Sequence, residues 1–485
     1  MYKKTKIVAT VGPASESEEM LLKLAKAGVN VFRLNFSHGD YAEHQGRIDK
    51  IRKINKEHNL KCAILQDLQG PKIRVGQMEG GNAGVELIEG NHLIFTNEDV
   101  VGNAERVSTP YKGMYQDVQI GERILMDDGK LEVKVVAIDK EKQEVTTEVV
   151  YGGLLKQKKG VNLPNTNISQ PSVTEKDWQD LNYGLSQDVD WIALSFVRTA
   201  KEIIEIKDYI KSKGSTAKVI AKIEKPEAIK NMDEIIAAVD AIMVARGDLG
   251  VEMPGEEVPL IQKELVRKCN LAAKPVIVAT QMLESMIDNP RATRAEIGDV
   301  ANAVWDGADA VMLSGESAAG KYPELAVETM SKTIIEVEQH ARKEDLYFKH
   351  HSRVSQPDYV SDDKDNDNVI MMACRLARDI DVKAIIGYTT SGYTAERISH
   401  HRPKAHIYIF TSNPKLLTQL SLYSGVEVFS AENLPADHEN NMVEAAKQFL
   451  VANGKLKSGD KFINTLSVPL LKDNRTNTVT LSVVE

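Results

Sequence analysis

Eight short apolar runs, each closed by a polar residue, limit what this chain can fold into more than any other feature. They are Lys6–Thr10, Val29–Phe36, Cys62–Gln66 with Asp67, Trp191–Phe196, Val219–Glu224, Ala241–Asp248, Val276–Thr280 and Ala310–Leu313 with Ser314. Runs of this length without strict alternation read as parallel strands buried on both faces. Amphipathic stretches follow them; Met20, Leu21, Leu24 and Ala25, behind a cap at Ser15 or Ser17, are the first. Eight such units over about 240 residues predict a (β/α)8 barrel. A doubly wound open sheet would share the pattern, because strand order is not visible in a sequence. In a barrel, Thr10, Arg33, Asp67, Ser195, Lys222, Asp248, Thr280 and Ser314 would all emerge on the face where chemistry is done.

The rhythm breaks between 71 and 169. Short β-runs replace it: Val85–Ile88, His92–Phe95, Arg123–Met126, Leu131–Ile138 and Val145–Val150, with a hairpin signal at Asp127-Asp128-Gly129-Lys130. This predicts a small all-β domain inserted into the barrel, whose own parts are 1–70 and 170–345. After a helix from Glu324 to about Asp345, the acidic run Ser361–Asp367 reads as a solvated linker. The remaining segment, 346–485, shows strands at Ala384–Gly387, Ile407–Phe410, Val426–Phe429, Lys461–Ile463 and Thr478–Val484, which predict a C-terminal α/β domain. A chain of 485 residues is too long for one core, in keeping with several domains.

A net charge of −9 without a long basic tract argues against a nucleic-acid binder. Three scattered cysteines in or beside apolar runs read as core residues of a reducing compartment. Met1–Lys6 leads straight into a strand with no signal-peptide core, and no apolar run approaches the roughly 20 residues that span a bilayer. The expectation is a cytoplasmic protein that binds no membrane.

Lys222 and Glu224 lie two residues apart and so on one side of their strand, with Asp248 on the next strand. Two carboxylates and a lysine at one rim suit a divalent metal carrying a phosphate; a rim salt-bridge network would use the same residues. Ala245-Arg246-Gly247-Asp248-Leu249-Gly250 precedes the acidic residues of a helix start, where free backbone N–H groups bind anions, though a plain βα turn has the same composition. Arg33, Asn35 and Ser37 alternate along one strand and converge, with Asp67 beside them. Arg33 can fork onto a phosphate, and the oxygens of Asn35, Ser37 and Asp67 suit a hard cation or simply tie strand ends together. Arg74, just inside the first hinge of the inserted domain, and Lys158-Lys159 within it could reach a nucleotide's phosphates if that domain closes as a lid, though a solvated turn would use the same two lysines. Thr389-Thr390-Ser391-Gly392-Tyr393-Thr394 opens a C-terminal helix with hydroxyls and a glycine, as a phosphate cradle or an ordinary helix cap.

The chain resembles the pyruvate kinase family from end to end. The likeness rests on Thr10–Ser15, Arg33–Gly39, Gly70-Pro71-Lys72-Ile73-Arg74, Lys159–Pro164, Lys222-Ile223-Glu224, Ala245–Gly250, Ala279–Met286 and Met312–Glu316. It implies transfer of the phosphoryl group of phosphoenolpyruvate to ADP, giving pyruvate and ATP. By the same resemblance, Glu224 and Asp248 would hold Mg²⁺. The turn of Ala245, Arg246, Gly247 and Asp248 would receive the substrate carboxylate. Lys222 would stabilise the phosphoryl group in flight, Arg33 would clamp it, and Thr280 would lie near the carbon that takes a proton. Asn35, Ser37, His38, Arg74 and Lys159 would contact the nucleotide or its second metal. A K⁺ site would fall on Asn35, Ser37, Asp67 and Leu68. Many members carry Thr-Lys-Gly-Pro-Glu where this chain has Leu68-Gln69-Gly70-Pro71-Lys72, so Lys72 replaces the glutamate and K⁺ is expected not to be required. Thr199 and Ala292 also depart from relatives, away from the chemistry.

The C-terminal segment is similar to the family's effector module, with Thr389, Thr390, Ser391, Gly392 and Thr394 as the phosphate loop. Its second loop, Lys472–Asn477, lacks the glycines of the fructose-1,6-bisphosphate type. A homotetramer is implied, and the extra C-terminal domain of some bacterial members is expected to be absent. The competing readings are a Mg²⁺-dependent barrel lyase acting on a 2-keto acid, which would share Glu224 and Asp248 but need no lid, and a phosphometabolite sensor without turnover.

Overall fold

The computed structural model describes residues 3–164, 166–343, 363–434, 442–467 and 476–485. Eight parallel strands close into a barrel in the order Lys6–Thr10, Val31–Asn35, Ala63–Asp67, Trp191–Leu194, Lys218–Ile223, Ala241–Ala245, Val276–Ala279 and Ala310–Leu313, the last pairing with the first. Closure rules out the open sheet. Ile7, Phe32, Leu34, Ile192 and Val278 face the surrounding helices, while Val8, Leu65, Ile220, Met243 and Ile277 fill the interior. This alternation packs both faces of every strand.

Five strands end earlier than their composition predicts, and three of those ends are backbone events. Phe196, two residues after Leu194, takes φ 54°, and Ala279 is followed by Thr280 at φ 67° and Gln281 at φ 54°. Left-handed backbone breaks a β ladder and is costly for a β-branched residue such as threonine. Ala245 is instead the cap of a helix, Arg246–Glu252, so the glycine-rich turn lies inside that helix rather than before it.

The insertion forms a six-stranded sheet in the order Val161–Asn162, Arg123–Met126, Leu131–Asp139, Glu144–Tyr151, His92–Thr96 and Arg106–Ser108, with a separate ribbon of Val85–Leu87 and Gly153–Leu155. The predicted hairpin joins Arg123–Met126 to Leu131–Asp139, with positive φ at Asp127, Asp128 and Gly129. Arg106–Ser108, Gly153–Leu155 and Val161–Asn162 are too short to show a period of two.

The C-terminal sheet has five strands, in the order Val426–Ser430, His406–Thr411, Ala384–Tyr388, Lys461–Leu466 and Thr478–Val483, with only the last antiparallel. It docks on the N-terminal ends of the barrel strands. Trp191, fully buried at the start of its strand, donates from Nε1 to the Gln419 carbonyl at 3.3 Å. Arg402 donates to Asp309 at 2.8 Å, and Lys415 pairs with Asp190 at 3.2 Å. The acidic run is not a solvated linker where it is described. Asp363 caps the helix Lys364–Asp379, and Asp367 is buried against the Tyr393 hydroxyl and Arg397. Ser361 and Asp362 lie outside the described residues. Aspartates in a helix's first turn meet the positive end of its dipole, and composition alone cannot tell that from a solvated acidic stretch.

Candidate active site

Barrel closure gathers the strand exits. Asn35 stands opposite Asp67, Thr10 opposite Arg33, and Lys222 opposite Met243. Four charges then form one buried array. Arg33 donates from Nε to Asp67 Oδ2 at 2.6 Å and from Nη1 to Thr10 Oγ1 at 2.8 Å. Lys222 Nζ lies 3.3 Å from Asp67 Oδ1, 3.0 Å from Glu224 Oε1, and donates to Ser195 Oγ at 2.8 Å. The second oxygen of Glu224 accepts the Phe196 N–H at 2.7 Å.

Burial alone would lower the Lys222 pKa, but the carboxylates of Asp67 and Glu224 outweigh it and hold the ammonium above the ordinary lysine range. Burial would likewise raise Asp67, and Lys222 with Arg33 overrides it downward. Glu224 moves up: burial dominates, against the pull of Lys222, and the nearby Asp248 charge adds to it.

Asp248 comes from the Arg246–Glu252 helix and receives Lys72 Nζ at 3.1 Å. Lys72 therefore meets the expected Mg²⁺ carboxylate rather than Asp67, although its charge helps lower His38, after burial, Arg74 and Arg33. Thr280 Oγ1 accepts the Gly247 N–H at 2.7 Å and donates to the Ala279 carbonyl at 2.6 Å. That takes one of the N–H groups expected to receive a carboxylate. Arg246 is a brace: it holds Asp299 at 2.7 Å and the Thr280 carbonyl at 2.5 Å, which fixes the left-handed turn. A cleft of about 710 Å³ opens beside these groups, lined by Lys72, Gly247, Asp248, Thr280, Ser314 and, from the inserted domain, Asp128. Arg33, Lys222 and Glu224 do not line it; Arg33 is paired with Asp67, and Lys222 with Asp67 and Glu224.

Three of the four residues expected to hold a monovalent cation already have partners for their oxygens. Asp67 faces Arg33 and Lys222, the Leu68 carbonyl accepts Ser195 Oγ at 2.7 Å, and Asn35 Oδ1 accepts the Ser37 N–H at 3.1 Å. His38 Nδ1 lies 3.4 Å from Asn35 Nδ2. In the inserted domain, Lys159 pairs with Asp127 at 2.6 Å and Arg74 donates to the Lys158 carbonyl at 3.0 Å. The described residues hold no cluster of three or more His, Cys, Asp or Glu side chains set for a metal. The donor set nevertheless fits Mg²⁺. Glu224 Oε1 is buried and carries no hydrogen bond, since Lys222 approaches it without hydrogen-bond geometry, and Asp248 supplies a second hard oxygen.

Sequence reasoning passed over Ser195 as a Lys222 partner, the Phe196 N–H on Glu224, and the Lys72–Asp248 pair. Ser195 left a signal, as a hydroxyl at a strand exit, and Lys72 one as a replaced residue, though neither signal named its partner. On the C-terminal domain, Gly392 takes φ 92° and caps Tyr393–His400; Thr389 Oγ1 accepts its N–H at 2.9 Å, Ser391 Oγ accepts the Tyr393 N–H at 3.4 Å, and Asn413 donates to the Thr390 carbonyl at 3.2 Å. The Thr394 hydroxyl meets that of Thr476 at 3.0 Å. Of the second loop, only Thr476 and Asn477 are among the described residues.

A closed parallel barrel with charged strand exits under an inserted β domain defines a (β/α)8 enzyme. The family model of the pyruvate kinase barrel domain matches residues 2–327, and that of the pyruvate kinase alpha/beta domain matches 367–482. The chain is 45% identical to a pyruvate kinase of Geobacillus stearothermophilus over 100% of its own length and 81% of the relative's. It is 44% identical to one of Staphylococcus aureus strain MRSA252, over 99% of this chain and 80% of that one. A crystal structure of a pyruvate kinase from Cryptosporidium parvum superposes with a TM-score of 0.91 at 35% identity, covering 100% of this chain and 96% of that one. The chain belongs to the pyruvate kinase family.

Proposed function

We propose that this enzyme moves the phosphoryl group of phosphoenolpyruvate to ADP, giving pyruvate and ATP. The observation that carries the reading is the buried Arg33–Asp67–Lys222–Glu224 array at the barrel mouth, in which Glu224 Oε1, near the Asp248 charge, is left without a hydrogen bond. Glu224 and Asp248 hold Mg²⁺, which when bound neutralises phosphate charge. Lys222 keeps its proton at neutral pH and so acts as a fixed positive charge rather than an acid, stabilising the phosphoryl group as its bond to the enol oxygen breaks and the bond to ADP forms. Arg33 clamps the same group from the neighbouring strand. The turn of Ala245, Arg246, Gly247 and Asp248 receives the substrate carboxylate, with Arg246 bracing the turn. Thr280, whose hydroxyl is already committed at both ends, orients the enol beside it. The proton on carbon then arrives through a relay that includes Ser314.

Asn35, Ser37, His38, Arg74 and Lys159 form the nucleotide side, the last two carried on the inserted domain, 71–169, acting as a lid over the catalytic barrel of 1–70 and 170–345. Burial and nearby cations keep His38 neutral, a hydrogen-bonding partner for ADP rather than a charge. K⁺ is not required, because Lys72 already brings a cation to Asp248 and the oxygens of Asn35, Asp67 and Leu68 are engaged. The C-terminal domain, 346–485, binds a phosphorylated effector at Thr389–Thr394, the enzyme is a cytoplasmic homotetramer, and the free, buried cysteines suit a reducing compartment. Among the described residues, no helix is long and apolar enough to cross a membrane.

The test follows pyruvate through lactate dehydrogenase and NADH. Pyruvate must appear only with phosphoenolpyruvate, ADP and Mg²⁺ together; pyruvate formed without ADP would sink the reading. Candidate sugar phosphates and AMP, added in the same assay, probe the effector loop.

A further inference from the structure

The two necks of the inserted domain end on one short helix. The leading neck carries Lys72, whose ammonium sits on Asp248 at 3.1 Å. The returning neck carries Asn162, paired with Leu125 inside the domain's sheet. Its side-chain amide donates to Glu252 Oε1 at 2.8 Å. Glu252 lies one helical turn beyond Asp248 on Arg246–Glu252 and is 4% exposed. The same oxygen accepts Lys225 Nζ at 2.7 Å, and Lys225 directly follows Glu224 in the chain. The Lys225 ammonium also lies 5.9 Å from the ring centre of Phe196, whose N–H holds Glu224. Glu252 Oε2 is buried without a hydrogen bond, so one oxygen carries both links. A small cavity of about 30 Å³, lined by Lys72, Asn162, Phe196, Lys225 and Glu252, lies among these groups.

We infer that Glu252 is a positioning residue that couples the seat of the inserted domain to the spacing of the Glu224 and Asp248 carboxylates. It touches neither carboxylate. It acts through the helix that bears Asp248 and through Lys225, which anchors the backbone after Glu224. Movement of Asn162 with its domain is thereby transmitted to both carboxylates, and by linkage metal binding steadies the Asn162 neck. The inference rests on the reading of Glu224 and Asp248 as the Mg²⁺ carboxylates.

The test uses Mn²⁺ as the probe, followed by its electron spin resonance signal in the full-length protein without substrates. Asn162→Ala cuts the tether and leaves the Lys225–Glu252 pair intact. It should weaken Mn²⁺ binding by about tenfold or more, the usual range for a group that orients a ligand from outside. A Lys225→Met/Glu252→Leu double variant, which leaves no unpaired buried charge, should weaken it similarly, and adding Asn162→Ala to it should weaken it no further. In the unmutated protein, Mn²⁺ should slow hydrogen exchange at residues 160–163. Unchanged Mn²⁺ affinity in a folded Asn162→Ala protein, or unchanged exchange at the neck, overturns the coupling. If the unmutated protein binds no Mn²⁺, the metal reading of Glu224 and Asp248 has failed instead.

Discussion

The two ends of the barrel both bury ion pairs, and they treat them differently. At the N-terminal end, under the C-terminal domain, each carboxylate is satisfied. Asp309 Oδ1 accepts Arg402 Nη1 at 2.8 Å and the Ser424 N–H at 3.3 Å, while its Oδ2 accepts the Val276 N–H at 3.1 Å. Asp190 accepts the Ile64 N–H at 2.8 Å and Thr418 Oγ1 at 2.7 Å, with Lys415 beside it. At the C-terminal end, Asp67 Oδ1 and Glu224 Oε1 are buried without hydrogen bonds, and Phe196 and Thr280 are held in left-handed backbone. These oxygens face the Lys222 ammonium; buried polar atoms without hydrogen bonds and strained backbone lower stability and persist where function needs them. One end is built to hold domains together; the other keeps charge ready for a ligand.

Substitutions should separate the ends. Arg402→Ala strands the Asp309 carboxylate between barrel and C-terminal domain. It should cost about 3 to 5 kcal/mol in denaturant unfolding, with kcat of the folded protein little changed. A large loss of kcat at full stability would erase the contrast. If Lys222 acts as proposed, Lys222→Ala should lower kcat by roughly 100-fold or more, with a smaller effect on phosphoenolpyruvate binding, because the work assigned to it is done in the transition state. Unchanged kcat would make the mouth merely a second structural network.

Smaller effects sharpen the picture. KCl should activate less than about tenfold over tetramethylammonium chloride, since a charge already stands at Asp248. Acid stability gives the finest comparison. The Asp67 pKa is depressed on folding, so its contribution is present above the unfolded value near about 4 and is lost as pH falls through the folded value. Glu224, raised by burial, has the opposite sign. Asp67→Asn should therefore flatten the acid limb of the stability profile, read by thermal melts between about pH 5 and 3. An unchanged limb would place the acid-sensitive pairs elsewhere.

The barrel was legible because its strands are continuous apolar runs with polar exits, and Lys222, Glu224 and Asp248 because their spacing puts them at one rim. The ends of those strands were not. Thr280 looks like a strand residue by composition and is left-handed only because Arg246 holds its carbonyl. Asp363–Asp367 looks solvated by charge, yet Asp367 is buried, with Arg397 and Tyr393 reaching it. Lys72 stood out as a replaced residue, but the sequence pointed it toward the neighbourhood of Asp67 and not to Asp248.

The sequence by itself determined the number of barrel strands, the place of the insertion, the residues that emerge at the mouth and the family, because periodicity and motif are properties of neighbours along the chain. Tertiary structure alone decided that the sheet closes, which charge pairs with which, that Lys72 sits on Asp248, and that Asn162, Glu252 and Lys225 meet behind the carboxylates. Those contacts join residues separated by tens to hundreds of positions. Their geometry depends on closure and on the seating of one domain against another, which no local pattern records.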